Sequence, residues 1–159
     1  MAAGLSVIND IRDRLASILS AVRINGVQPL ILRANPLTVG AGAKQPTIYI
    51  PTFHELGIVQ GSSDSNVVEV TGSISIELPS SGNNERDENA IGIAGNEVIK
   101  TLENADTQPR RFFGMGDLGV IYALASTEEA DFSEFGSVGL VVVLSLSLYI
   151  RTDARSDTP

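Results

Sequence analysis

Two stretches of this sequence share one regular pattern: Val67-Val-Glu-Val-Thr-Gly-Ser-Ile-Ser-Ile-Glu-Leu78 and Val138-Gly-Leu-Val-Val-Val-Leu-Ser-Leu-Ser-Leu-Tyr-Ile-Arg151. In both, apolar side chains fall on every second residue. A period of two gives a strand one buried face and one solvated face, so both are predicted to be long antiparallel strands of one sheet. Strands of about twelve residues exceed the usual five or six. This length favours a scaffold whose sheet extends into neighbouring subunits over a compact catalytic domain.

Two helices are predicted from apolar residues spaced three and four apart. The first covers Leu5–Arg23, and Asn25–Gly26 is predicted to end it because both residues tolerate the left-handed conformation. The second covers Glu85–Asn104 and begins with acidic residues that complement the helix dipole. Gly92 and Gly95 cost this helix about 1 kcal/mol each relative to alanine. The helix therefore either packs very closely against the sheet or is broken there.

The rest of the chain is predicted as shorter strands and polar loops. Strands are expected at Val27–Ala34, Pro46–Phe53 and Leu118–Ala125. Polar connections are expected at His54–Asn66 and, with an acidic character, at Ser126–Gly136.

This order of elements predicts an α+β fold with a mostly antiparallel sheet, an N-terminal helix and a second helix on one face, and extended hairpin or loop segments. The length of 159 residues suits one domain, assigned to residues 1–151. Residues 152–159 are polar and are predicted to be a C-terminal tail.

The composition excludes several classes of function. The net charge is −8 and no basic patch is visible, so tight binding to nucleic acid is not expected. The absence of cysteine rules out disulfides and thiolate metal sites. No apolar run reaches the roughly 18 residues that span a bilayer, and the N-terminus lacks the basic region of a signal peptide. We therefore expect no membrane partner.

Two glycine-rich segments resemble nucleotide-binding motifs, and neither fits the chemistry. Gly114–Gly119 matches G-x-G-x-x-G, which needs a strand before it and a helix after it to receive the pyrophosphate. A strand-like run follows instead, so we predict a loop entering a strand. Gly40–Lys44 lacks the spacing of a phosphate loop, and Gln45 stands where serine or threonine would bind magnesium. No cofactor is predicted.

Catalytic and metal sites are also not predicted. His54 is the only histidine, and no G-x-S-x-G elbow accompanies it. A small hydrolase or ligand-binding domain that uses His54 remains an alternative from a different class of function. The acidic residues of one loop are candidates for calcium binding, but their spacing fits no EF-hand and a solvated loop is favoured: Glu128, Glu129, Asp131 and Glu134.

Two segments are candidate contacts between subunits. Arg110, Arg111, Phe112 and Phe113 combine arginines with aromatic rings, which is typical of protein–protein hot spots. The alternative is that one phenylalanine fills the core beneath its loop. The acidic residues Glu128, Glu129, Asp131 and Glu134 form the second candidate contact.

The order of elements resembles the tail terminator (tail completion) proteins of long-tailed bacteriophages, with the fold of the lambdoid minor tail protein. The resemblance lies in the N-terminal helix Leu5–Arg23, an extended hairpin and second helix near Pro79–Asn104, and the closing apolar strand Gly139–Arg151. It covers most of the chain as a pattern of elements, without a motif that transfers residue by residue.

The resemblance implies a structural role in the virion, at the neck or tail, after assembly in the bacterial cytoplasm. Such proteins form a hexameric ring that caps the tail tube, stops its polymerisation and joins the tail to the head connector. The expected partners are further copies of the chain, the tail tube protein and the connector or stopper proteins. DNA is expected only as cargo passing through the lumen. A head–tail adaptor or stopper ring is the structural alternative.

Overall fold

The computed structural model contains two helices and six strands among the residues that it describes, which are 5–33, 45–50, 53–61, 65–79, 84–106, 112–128 and 139–153. In chain order the elements are α1 (Leu5–Leu19), β1 (Leu30–Leu32), β2 (Thr47–Tyr49), β3 (His54–Gly61), β4 (Ser65–Pro79), α2 (Asn84–Asn104), a short 3₁₀ helix (Gly116–Leu118), β5 (Val120–Glu128) and β6 (Gly139–Asp153). Neither described helix is long and apolar enough to cross a membrane.

All six strands belong to one sheet, in which five follow the order β1-β2-β4-β6-β5. Strand β3 also pairs with β4, on the side that β2 occupies, since β6 fills the other side along the whole of β4. The pairs are antiparallel except for β1 and β2, which are parallel. The predicted α+β fold with a mostly antiparallel sheet is confirmed.

Strands β4 and β6 form the centre of the sheet. They pair without interruption from Ser65 opposite Asp153 to Pro79 opposite Gly139. Because the register is unbroken, the apolar alternations of the two strands coincide on one face. That face carries fully buried side chains, among them Val68, Val70, Ile74, Ile76, Val142, Leu144, Leu146 and Leu148.

Both helices pack on this apolar face, as predicted. Ile11, Leu15 and Leu19 of α1 and Ala94, Val98 and Leu102 of α2 join the sheet residues in one buried cluster. Each large side chain buried in this way contributes about 1.5–3 kcal/mol. We call this the helix face of the sheet, and the opposite side, on which neither described helix packs, the helix-free face.

Helix α2 is continuous through both of its glycines. An ideal Cβ on Gly95 would lie 3.6 Å from Val142 Cγ1 and 3.7 Å from Thr127 Oγ1, so the helix backbone comes close to the sheet there. Gly92 has no neighbouring atom within 4 Å of the same position. Of the two predicted possibilities, close packing is therefore correct at Gly95, where even a Cβ would lie at ordinary van der Waals distance from the sheet.

The predicted end of the first helix was wrong. Helix α1 ends at Leu19, and the chain then continues to a tight turn at Asn25–Gly26. These two residues have φ angles of 53° and 78°. They form the turn between Ile24 and Val27, which pair as an isolated antiparallel bridge. Asparagine followed by glycine is the preferred pair for such a turn because both positions require positive φ.

The prediction of a polar connection at His54–Asn66 was also wrong. His54–Gly61 is strand β3, and Ser65 and Asn66 already belong to β4. The pairing of β3 with β4 shifts between Glu55 and Gly57 and again between Ile58 and Gln60. Each shift interrupts the regular pairing of β3 with β4, which is why no simple alternation in the sequence indicated this strand.

The last two strands are longer than predicted. Strand β5 runs to Glu128, into the predicted acidic loop, and β6 runs to Asp153, into the predicted tail. Residues 129–138 and 154–159 lie outside the described part of the chain, as do residues 80–83 of the extended hairpin expected before α2.

Candidate assembly interface

The exposed apolar side chains are concentrated at the two ends of the sheet. Within the described ranges six large hydrophobic residues are exposed, and only Ile93 lies on a helix. Val27 and Leu30 lie at the β1 end, where Leu30 is 45% exposed. The others lie on β5 at the opposite end: Ile121, Tyr122 and Leu124. Their clustering makes these two edges the candidates for an interaction surface among the described residues.

Strand β5 has the features of an edge that accepts another strand. It is nine residues long and no described strand besides β6 pairs with it. Its sequence, Val-Ile-Tyr-Ala-Leu-Ala-Ser-Thr-Glu, contains none of the lysine or proline residues with which proteins protect edge strands. The backbone and the exposed side chains together make β5 a template for strand pairing.

A row of aromatic and acidic side chains crosses the helix-free face next to this edge. Glu69, Tyr149 and Tyr122 are successive partners on β4, β6 and β5. The Tyr149 hydroxyl donates a hydrogen bond to Glu69 Oε2 over 3.3 Å. The Tyr122 and Tyr149 rings are 6.0 Å apart between centroids, and their planes are tilted by 43°. The charge of Glu69 raises the pKa of Tyr149.

A second tyrosine–glutamate pair lies at the other end of the helix-free face. Tyr49 and Glu77 are only 2% and 5% exposed, and the Tyr49 hydroxyl donates to Glu77 Oε1 over 2.8 Å. Burial, followed by the hydrogen bond to the Glu77 carboxylate, raises the pKa of Tyr49 to about 12. The pair joins β2 to β4. All three tyrosines of the sequence thus lie on the helix-free face.

The segment that leads into β5 is fixed by hydrogen bonds. The Asp106 carboxylate accepts the backbone N–H groups of Phe112 and Phe113 over 3.1 Å each, and that of Gly114 over 2.8 Å. Such a carboxylate replaces the backbone partners that a loop otherwise lacks. The start of β5 is therefore held in place relative to the end of α2.

An ion pair holds the same segment to α1. Arg14 donates to both carboxylate oxygens of Asp117 over 2.7 and 2.8 Å, and to the Gly114 carbonyl over 2.6 Å. The hydrogen bonds from Arg14 lower the pKa of Asp117, and they raise that of Arg14 in return. Because both side chains are partly exposed, the contribution of this pair to stability is small.

The structure places three of the eight predicted contact residues. Phe113 is 1% exposed, so it fills the core, as the alternative interpretation proposed. Phe112 is half-buried, and Glu128 is the last residue of the edge strand β5. The other five lie outside the described residues: Arg110, Arg111, Glu129, Asp131 and Glu134. The role of these residues between subunits stays a prediction.

The chemical motifs of the sequence do not assemble into a site among the described residues. Gly114–Gly119 contains the short 3₁₀ helix Gly116–Leu118 and leads into β5, so the predicted entry into a strand is confirmed. His54 is exposed on β3, and no hydrogen bond or ion pair joins it to another described residue. The described ranges contain no group of three or more acidic or histidine side chains able to hold a metal ion. Gly40–Lys44 lies outside them.

No protein-family model matches this sequence, and a search of curated proteins found no match to it. The fold and the two ends of the sheet are therefore the features that bear on function.

Proposed function

We propose that this protein is a structural subunit of a bacteriophage tail, forming a hexameric ring that caps the tail tube, terminates its polymerisation and joins the tail to the head connector. The observation that carries the proposal is the sheet with exposed apolar side chains at both of its ends, at Leu30 and at Tyr122 and Leu124. The order of elements, which resembles that of tail terminator proteins, supports the specific role.

A ring accounts for both ends of the sheet. A twofold contact uses the same surface on both subunits, so it covers one end of the sheet and leaves the other exposed. A head-to-tail contact joins the two different ends, and it closes into a ring when the rotation between subunits closes. The net charge of −8 suits a lumen through which DNA passes, because acidic residues release no counterions from DNA and so do not retain it.

The first experiment measures the mass of the purified protein by light scattering and native mass spectrometry, alone and after mixing with assembled tail tubes. We expect a hexamer, or a monomer that becomes a hexamer on the tube end. Tubes growing from purified tube protein are expected to stop lengthening when the protein is added. A protein that stays monomeric with every tail component, and leaves tube growth unchanged, would disprove the proposal.

A head–tail adaptor or stopper is the second candidate because it would use the same two ends of the sheet. An adaptor or stopper differs from a terminator in the protein that it binds and in the number of subunits in its ring. Binding to the head connector without binding to tubes, or a ring of twelve subunits, would favour it over the terminator.

A further inference from the structure

We infer that strand β5 of one copy pairs with strand β3 of the next copy, so that the sheets of neighbouring subunits join across the interface. This inference rests on the proposed ring. It names the two edges that meet and the residues that face each other, none of which the ring itself specifies.

The directions of the strands favour this contact. Strand β5 is antiparallel to β6, which is antiparallel to β4, so β5 and β4 run in the same direction. Strand β3 is antiparallel to β4 and therefore runs opposite to β5. When two copies stand side by side in the same orientation, β5 of one meets β3 of the other as an antiparallel pair. Antiparallel pairing is the slightly more stable arrangement per residue.

The positions of the strands along the sheet also agree. Successive pairing partners across the sheet form a row. Leu124 on β5 lies in the same row as Ser147 on β6, Thr71 on β4 and His54 on β3. Tyr122 lies in the same row as Tyr149, Glu69 and Gly57. Without any stagger between subunits, the exposed part of β5 therefore meets the first half of β3.

Gly57 offers a place for the exposed ring of Tyr122. It has a φ of 133°, which only glycine adopts readily, and an ideal Cβ there would find no atom within 4 Å. Gly57 lies in the row of Glu69, so the open space above it belongs to the helix-free face, as does the Tyr122 ring. Tyr122 is 42% exposed, and covering a strand glycine with an aromatic ring stabilises paired strands.

The other pairings of edges are less suitable. Strand β1 has three residues, and its partner β2 lies opposite positions 75–77 of β4, away from the row of Tyr122. Two β5 strands joined by a twofold axis would leave the outer edge of β3 unpaired. The two register shifts in β3 limit the contact to a few regular residue pairs.

The contact is tested by disulfide cross-linking, for which the cysteine-free chain is well suited. His54→Cys and Leu124→Cys are made as separate variants, mixed and oxidised. We expect a cross-linked dimer that contains one copy of each variant. Within one chain these positions are three strand spacings apart, about 14 Å, so an internal disulfide cannot form. If neighbouring subunits are shifted along the strands by two residues in either direction, Tyr122→Cys or Ser126→Cys should cross-link to His54→Cys instead of Leu124→Cys.

Each outcome decides between distinct conclusions. A cross-link with His54→Cys from any of the three β5 positions supports the pairing. A cross-linked dimer of Leu124→Cys with itself, and none in the mixture, would replace it with a twofold β5–β5 contact. A ring in native mass spectra without any cross-link to position 54 overturns the pairing and leaves the proposed function standing. A protein that stays monomeric with tail components overturns both.

A matched pair of substitutions gives an independent measurement. Leu124→Lys and Ile93→Lys place the same charge at two exposed apolar positions, 37% and 47% exposed, one on the edge strand and one on α2. Lysine on an edge strand opposes strand pairing. We expect Leu124→Lys to raise the dissociation constant of the ring at least about tenfold and Ile93→Lys to leave it unchanged. Equal effects of the two substitutions would contradict the β5 contact.

Discussion

Gly72 shows how one residue can interrupt a pattern and still be part of the core. It occupies the helix face of β4 between Val70 and Ile74, where the alternation calls for an apolar side chain. The ring of Phe53 takes that space instead and is only 2% exposed. An ideal Cβ on Gly72 would overlap the Phe53 ring, with Cγ at 2.9 Å and two ring carbons closer still. The glycine is therefore required by its neighbour and not by its backbone angles.

Substitution of Gly72 by alanine is expected to destabilise the protein by about 1–3 kcal/mol, because the Phe53 ring must move out of a filled core. Gly92→Ala is the matched control. It adds the same methyl group to an open position of α2, and we expect it to stabilise the protein by up to about 1 kcal/mol through helix propensity. Urea denaturation measures both. If Gly72→Ala left the free energy of unfolding unchanged, the Phe53 ring would not depend on the space beside Gly72.

The stability of the protein at alkaline pH is expected to depend on Tyr49. Its pKa of about 12 in the folded state lies above the ordinary value of about 10. Its contribution to stability is therefore complete below pH ~10 and is lost as the pH rises towards ~12. Absorbance of the ionised phenol should show a last step near pH 12 in the native protein. Tyr49→Phe removes that step and, by depriving buried Glu77 of a donor, costs about 1–3 kcal/mol at neutral pH.

Tyr149→Phe serves as the control for this titration. Its hydroxyl bonds Glu69 over a longer distance and is less buried, so the variant should retain the step near pH 12. If the last step survived in Tyr49→Phe as well, the assignment to Tyr49 would be incorrect.

At the scale of elements, the position of β5 depends on the connection from α2. Two acidic residues hold this connection in different ways. Asp106 accepts three backbone N–H groups, whereas Asp117 forms an ion pair with Arg14 at the surface, where its side chain is 61% exposed. A partly buried acceptor of several amides contributes more than an exposed ion pair.

We expect Asp106→Ala to destabilise the protein by about 1–3 kcal/mol, because the backbone amides of Phe112, Phe113 and Gly114 lose their acceptor. Asp117→Ala should cost less than about 1 kcal/mol, because solvent screens an exposed pair. Chemical denaturation of both variants gives the comparison. The reverse order of the two effects would mean that the ion pair to α1, and not the carboxylate at the end of α2, holds the start of β5.

At the scale of the whole molecule, the predicted contact at Arg110 and Arg111 is tested by charge reversal. If these residues bind an acidic surface of the neighbouring subunit, Arg110→Glu with Arg111→Glu should weaken ring assembly, and most strongly at low salt. Light scattering over a range of protein and salt concentrations measures the effect. Assembly equal to that of the unmodified protein would exclude this segment from the interface.

Local periodicity in the sequence was enough to predict the regular parts of the fold. A period of two across Val67–Leu78 and Gly139–Arg151 specified two long strands and the face that each buries. Spacings of three and four specified helices at both predicted places and the stripe that each packs on the sheet. These features are readable because a regular backbone repeats its orientation every few residues.

Contacts between residues that are distant in the chain could not be predicted and became visible in the folded protein. The two register shifts hid β3 within a glycine-rich segment, and nothing near Gly72 in the sequence indicated that Phe53 covers it. The pairing of Tyr49 with Glu77 and the exposed edge of β5 likewise depend on strand order. Local patterns specify which face a side chain occupies, whereas its neighbour across the sheet is set by topology, which no local period encodes.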